Sequence, residues 1–169
     1  AECAIVKDGG DDIDATTGLP VVAEVSLLPD APGTVTIDGG HGVGRVTKPG
    51  LDQPLGAAAI NHVPRRMITE ALAAGYTGGF AVVICIDGGE EAARRTFNPH
   101  IGVEGGLSVL GTSGIVEPMS QQAILDTLQL EIHQAALRSR RLILAPGNYG
   151  LDYLTQNMPE LADIPIVKV

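Results

Sequence analysis

Apolar and polar positions along the chain predict most of its elements in order. Ala4 to Lys7 reads as a short strand running into the acidic, turn-rich Asp8-Gly-Gly-Asp-Asp-Ile-Asp14. Val21 to Leu28 and Thr34 to Ile37 read as two strands joined through Pro29-Asp30-Ala31-Pro32-Gly33. After a glycine-rich loop at 38–45, a helix is predicted beyond Asn61. Pro64 suits its first turn, Met67, Ile68, Ala71 and Leu72 recur at spacings of three and four, and Gly75 lies past its end. Phe80 to Ile86 is continuously apolar, the pattern of a strand covered on both faces, as in a parallel sheet. Glu90 to Thr96 reads as a short helix. A long helix capped by Ser120 follows, with Ile124, Leu125, Leu128, Ile132, Ala135 and Ala136 as its apolar stripe and Arg138, Arg140 and Arg141 at its negative end. Leu142 to Ala145 is a buried strand, 150–157 a helix, and Ile166 to Val169 a last strand.

Strand, helix, strand, helix, strand in the second half favours a parallel sheet with crossover helices. The predicted class is α/β with an α+β-like first half: a mixed sheet, then a mostly parallel three-layer α/β unit. A boundary near Gly75 to Gly79 divides a strand- and loop-rich lobe (1–76) from a β-α-β-α-β lobe (77–169) with glycine-rich loops.

Composition narrows the function. The chain has 169 residues and a net charge of −9, a balance that excludes general nucleic-acid binding. Six of the eleven Lys and Arg lie between residues 45 and 95, so they either converge as a local positive site or sit on solvated helix faces. No run approaches the roughly eighteen apolar residues of a membrane span, and no signal-peptide pattern opens the chain, so a cytoplasmic location is expected. Cys85, inside the apolar run, reads as a reduced core thiol.

Candidate chemistry is sparse. The acidic loop fails the EF-hand pattern, because Thr17 and Ala23 stand where glycine and glutamate are needed counting from Asp12. His41, His62, His100 and His133 show no zinc spacing, G-x-S-x-G is absent, and no metal site is expected. Three glycine-rich segments remain: GGHGVGR at 39–45, GGLSVLGTSG at 105–114 and APGNYG at 145–150. Glycine lets main chain approach a ligand, and N–H groups at a helix start can bond its oxygens. With no P-loop lysine, a nucleoside carrying hydroxyls and one carboxylate fits better than a triphosphate, and S-adenosylmethionine has that shape. Spacing alone favours ligand-free turns over a bound donor.

The segments KDGGDDIDATTG, GGHGVGRVTKPGL, AINHVPRRMI, RTFNPHIGVEGGLSVLGTSGIVEPMS and APGNYG occur in this order. Together they closely resemble the CbiD family, the cobalt-precorrin-5B C-methyltransferases of anaerobic cobalamin biosynthesis. The likeness departs at Thr17, His62, Asp87 and Ser113, where histidine, proline, proline and threonine are usual in the family. Family chains are about twice as long and begin with a Thr- and Gly-rich motif absent here. The resemblance therefore implies a central piece of an enzyme, not expected to methylate substrate alone. A non-catalytic carboxylate- or nucleotide-binding module is the alternative reading.

The implied reaction moves the methyl group of S-adenosylmethionine to carbon 1 of a cobalt-containing, ring-contracted tetrapyrrole. The resemblance assigns the donor to Gly105, Gly106, Ser108, Gly111, Thr112, Ser113 and Gly114, with Glu117 either a ribose-hydroxyl acceptor or a helix-start residue favoured by the dipole. It assigns the carboxylate-rich tetrapyrrole to Arg45, Lys48, Arg65 and Arg66, beside His41 and Asn61. Arginine suits bidentate carboxylate contacts. No general base is implied, and self-association is left open.

Overall fold

The computed structural model describes residues 1–8, 15–75, 78–111 and 121–168. Its elements run β1 (Glu2–Val6), β2 (Pro20–Leu28), β3 (Val35–Gly39), β4 (Arg45–Val46), α1 (His62–Ala73), β5 (Gly79–Ile86), α2 (Gly89–Ala93), α3 (Asn98–Ile101), β6 (Val103–Glu104), α4 (Gln121–Arg138), β7 (Ile143–Ala145), α5 (Gly147–Asn157), a 3₁₀ turn (Pro159–Leu161) and β8 (Ile166–Lys168). The chain is of mixed α/β class, and it divides into two compact units, Ala1–Pro118 and Met119–Val169.

The first unit is built on a four-stranded sheet of order β1-β2-β5-β3. β2 pairs antiparallel with both β1 and β5, from Val21 opposite Ile86 to Leu28 opposite Gly79. β3 runs parallel to β5, with Val35 opposite Phe80 and Gly39 opposite Ile84, so α1 lies on the crossover between them. The alternating residues Phe80, Val82, Ile84 and Ile86 form the centre of the core. Ile68 and Leu72 of α1, Val43, Ile60 and Leu107 of the loops, and Ala92 and Ala93 of α2 pack in the same cluster. Ile60 is fully buried.

The apolar run of β5 thus reports two covered faces but not a parallel sheet, since one of its two neighbours is antiparallel. Nor does the first sheet end at residue 76. β5, which the sequence places in the second lobe, is an inner strand beside β2 and β3.

α1 begins where expected, but no Asn61 side-chain bond caps it. Asp52, ten residues upstream, takes that role. Its Oδ2 accepts the His62 N–H at 2.7 Å, and its Oδ1 lies 2.5 Å from His62 Nδ1. Partial burial works against the charged form of Asp52, yet hydrogen bonds from Gln53 and His62 outweigh it and hold the carboxyl below its ordinary value.

In the second unit α4, β7, α5 and β8 follow the predicted order, and Ser120 lies outside the described residues. β7 and β8 pair in parallel, Ile143 opposite Ile166 and Ala145 opposite Lys168. Ala135, Ala145 and Val167 are its buried residues among those described. The expected mostly parallel three-layer unit is therefore, among the described residues, a two-stranded parallel pair with two helices. No described helix is long and apolar enough to cross a membrane.

Candidate functional site

Glycine content decides how the loops of the first unit meet. Gly42 lies against Gly89 and Gly106, and these contacts are main chain on main chain. A Cβ on Gly42 would sit 1.9 Å from Ile86 O, and one on Gly89 would sit 2.4 Å from Gly42 O. Gly42 also has φ +72°, a left-handed backbone that favours glycine. A Cβ on Gly106 would lie 2.4 Å from Gly42 O and 2.7 Å from Gly44 N. The resulting closeness permits a ladder: Leu107 N–H donates to Gly42 O (2.8 Å), and Gly44 N–H donates to Leu107 O (2.9 Å). Farther along, Val109 N–H donates to Ala59 O (2.8 Å) and Asn61 N–H to Val109 O (2.9 Å). Gly106 thus packs closely against Gly42 and Gly44. Gly105, with φ +77° and open space where a Cβ would be, has no such neighbour.

These ladders fix one side of a cleft of about 320 Å³ at the carboxyl end of β5. The floor is aliphatic: Leu19 and Val21 at the start of β2, Ile86 at the end of β5, and Leu107, Val109 and Leu110. The polar rim is Lys7 and Thr16 on one turn, Thr96 and Asn98 on another, and Ser108. Each turn is internally braced. Lys7 N–H donates to Leu19 O (3.0 Å), Gly18 N–H to Lys7 O (2.9 Å), and the Lys7 ammonium to Thr16 Oγ1. Thr96 Oγ1 donates to Ala93 O (2.8 Å) and accepts the Asn98 N–H (3.3 Å), while the Ser108 hydroxyl donates to Asn98 Oδ1 (3.2 Å). Lys7 is the one charged group among the described lining residues. Chemically the cleft can hold a flat or aliphatic body, hydrogen-bond its hydroxyls and pair with an anion.

Of the residues assigned to the donor, Ser108 lines this cleft, Gly105 and Gly111 stand before and after its lining residues 107–110 in the sequence, and Thr112, Ser113, Gly114 and Glu117 lie outside the described residues. Lys7, Thr16, Thr96 and Asn98 were not singled out by sequence reasoning. They do lie inside the quoted segments KDGGDDIDATTG and RTFNPHI, and that was the available signal.

The basic cluster is brought together only in part. Arg65 turns its guanidinium onto main chain: Nε to Ile60 O (2.7 Å), Nη1 to Ile37 O (2.7 Å) and Nη2 to Ala58 O (3.4 Å). Three of its five N–H donors thus have internal acceptors. Arg45 forks onto Asp38 at 2.6 and 3.3 Å and also reaches Gly39 O at 2.7 Å. Lys48 donates to His100 O (2.7 Å), and Arg66 stands 3.8 Å from Glu70 on the exposed side of α1. His41 Nε2 lies 2.7 Å from Asp87 Oδ1, with both side chains more than half exposed. Asn61 spends its main-chain N–H on Val109 O. Among the described residues no three of His, Cys, Asp and Glu gather to hold a metal ion.

The Arg45 hydrogen bonds are the largest influence on Asp38 and hold its carboxyl below the ordinary 3.8. Partial burial opposes them, and Gly39 N–H and the charge of Arg65 add to them. A carboxyl lowered by folding contributes stability above its unfolded value, and that contribution is lost as pH falls through the folded value. Stability of the first unit is therefore expected to decline below about pH 4. Asp38→Asn should flatten that decline in urea titrations; a slope equal to wild type would sever Asp38 from it.

The CbiD family model matches residues 1–118. The cobalt-precorrin-5B C(1)-methyltransferase of Ruminiclostridium cellulolyticum is 48% identical over 157 residues, covering 89% of this chain and 40% of that protein. Its namesake from Treponema denticola is 46% identical over 170 aligned residues, covering 99% of this chain and 46% of that protein. A crystal structure of the cobalamin biosynthesis protein cbiD from Archaeoglobus fulgidus is 26% identical, with a TM-score of 0.48 over 94% of this chain and 50% of that one. The chain spans less than half the length of these two curated relatives.

Proposed function

Because this chain belongs to the CbiD family, we propose that it forms part of an enzyme that methylates carbon 1 of cobalt-precorrin-5B, with S-adenosylmethionine as donor. The observation that carries this reading is the near-half identity, sustained over 89–99% of the chain, to relatives bearing that activity in their names. The cleft adds physical support. Two of the segments that resemble the family line it: Lys7 and Thr16 come from the first, and Thr96, Asn98 and Leu107 to Leu110 from the fourth, while the second packs behind them through Gly42 and Gly44.

The chemistry asks for position more than for reactive groups. A carbon–carbon bond forms as the methyl–sulfur bond breaks, and the sulfonium leaves as a neutral thioether. Alignment of nucleophile, methyl and sulfur supplies most of the assistance. Stabilising the sulfonium strongly in the ground state would oppose reaction, since its charge disappears on the way to product. A cleft with an aliphatic floor and neutral hydroxyl and amide groups suits that demand.

On the donor side the proposal keeps Gly105, Ser108 and Gly111, continued by Thr112, Ser113, Gly114 and Glu117. On the tetrapyrrole side it keeps His41, Arg45, Lys48, Asn61 and Arg66. Arg45 and Lys48 remain solvent-accessible and can exchange internal acceptors for a substrate carboxylate, a contact that arginine makes bidentately. Arg65 is left to the fold.

A chimera tests the reading. This chain replaces the matching part of the Ruminiclostridium cellulolyticum relative, and methyl-labelled S-adenosylmethionine is supplied with cobalt-precorrin-5B. Label is expected in the tetrapyrrole. A folded chimera that transfers none, beside an active parent, would refute it.

A further inference from the structure

A metal ion that a tetrapyrrole already holds asks little of a protein. The ring nitrogens fill its plane, and only an axial position is open to a side chain. Among the described residues no three of His, Cys, Asp and Glu gather to hold a bare ion, but one well-backed imidazole suffices for a metal that brings its own ring. His41 has that backing. Its Nε2 lies 2.7 Å from Asp87 Oδ1. An ionised carboxylate only accepts, so Nε2 carries the proton and Nδ1 keeps its lone pair. That Nδ1 has no hydrogen-bond partner among the described residues. A carboxylate on the far ring nitrogen is the usual companion of a metal-binding histidine. It fixes the tautomer, holds the ring and makes the near nitrogen a better donor.

Main chain pins both partners. Ile86 N–H donates to His41 O (2.9 Å), and Asp87 N–H donates to Pro20 O (3.0 Å). His41 is the one residue of 39–42 that is not glycine. A Cβ on Gly40 would meet Cys85 Sγ at 2.4 Å and one on Gly42 would meet Ile86 O at 1.9 Å, so its two neighbours pack inward. The imidazole itself is 59% exposed, beside a carboxylate 56% exposed. β3 and β5 run parallel, and His41 and Asp87 follow their carboxyl ends, where open α/β sheets take ligands. Ile86, which lines the cleft, precedes Asp87 in the chain and is the residue bonded to His41 O.

We propose that His41 Nδ1 is an axial ligand to the cobalt of the tetrapyrrole substrate, with Asp87 as its positioning residue. The inference rests on the cobalt-precorrin reading above and adds to it how the protein holds the metal. The step is a coordinate bond. The Nδ1 lone pair enters an open axial position or displaces a water there, the proton stays on Nε2 facing Asp87, and no electron is transferred. Donation from the imidazole raises electron density on the cobalt and the ring around it, the direction that favours a carbon nucleophile.

Cobalt(II) uroporphyrin, a polycarboxylate macrocycle, and metal-free uroporphyrin are the probes. Each is added without oxygen, in a buffer free of nitrogen bases, to the 169-residue chain. The frozen cobalt(II) complex should give an electron paramagnetic resonance spectrum split by an axial nitrogen, and the cobalt form should bind more tightly than the metal-free one. His41→Ala should abolish both the splitting and the preference. Its affinity for metal-free uroporphyrin should be unchanged, which also shows that the variant is folded. Asp87→Asn should keep the splitting and cut the preference by up to about tenfold. His62→Ala should alter neither, although His62 also stands beside a carboxylate. Splitting that survives in His41→Ala, or cobalt(II) uroporphyrin bound to wild type without splitting, overturns the ligation and leaves the tetrapyrrole reading standing. Binding of neither probe to wild type overturns both.

Discussion

Gly106→Ala is expected to destabilise the first unit by roughly 3–5 kcal/mol, while Gly105→Ala next to it costs about 1–2 kcal/mol. A Cβ at 106 would lie 2.4 Å from Gly42 O, 2.5 Å from Gly42 C and 2.7 Å from Gly44 N. All three are main-chain atoms and cannot turn aside as a side chain can. Gly42 O and Gly44 N are also the two atoms that bond Leu107, so relief of the clash separates the strands of that ladder. The cost is therefore overpacking, at about 1–3 kcal/mol, plus two disrupted buried hydrogen bonds of about 1 kcal/mol each. At Gly105 nothing lies within 4 Å of a new Cβ, and only the left-handed backbone, φ +77°, resists it. Urea unfolding of both variants measures the contrast. Had Gly106 served only to admit a ligand, its alanine variant would unfold like wild type and fail only in binding. Equal midpoints for the two variants would mean that the glycine-on-glycine contact does not hold the loop.

That contrast also shows where sequence reasoning stopped. Spacings of three and four gave α1, and continuous apolar runs gave β5 and β7, because burial of one face or two leaves a direct trace in residue type. The direction of β5's neighbours leaves no such trace: a strand covered on both sides reads the same beside a parallel or an antiparallel partner. β4 and β6 have two residues each, too short for any period to register. In the loops, glycine signalled close approach without saying to what. A ligand and a second glycine segment demand the same missing Cβ, and in this fold Gly42, Gly89 and Gly106 answer to one another. The cleft had a weaker signal still. Lys7, Thr96 and Asn98 are ordinary residue types on separate turns, and only the fold brings those turns to one end of β5. The arginines show the same division. Their charge was legible and their acceptors were not, because Arg65 binds carbonyls and a carbonyl belongs to every residue alike.

Arg65→Ala is expected to lower stability by about 3 kcal/mol, equivalent to a fall of roughly 6–12 °C in Tm for a chain of this size. The guanidinium ties Ile60 O and Ala58 O of the loop before α1 to Ile37 O of β3. Ile60 is 0% and Ala58 1% exposed, so water cannot simply replace the lost donors. Hydrogen bonds from a charged group contribute about 1.5–3 kcal/mol, and a carbonyl left bare in the interior costs about 1–3 kcal/mol. Arg65→Lys should recover only a minor part, since a point-like ammonium cannot serve three carbonyls set around a planar fork. Arg66→Ala makes the control. Its 3.8 Å pair with Glu70 is exposed, and loss of such a pair changes stability by less than about 1 kcal/mol. Thermal unfolding of the three variants separates a structural arginine from a substrate-binding one. An Arg65→Ala protein that melts with wild type, and loses only affinity for a polycarboxylate, would return Arg65 to the binding surface. Should the melt fall as expected, the proposed contacts to tetrapyrrole carboxylates pass to groups less committed to the fold, with Arg45, Lys48 and Arg66 the first to examine.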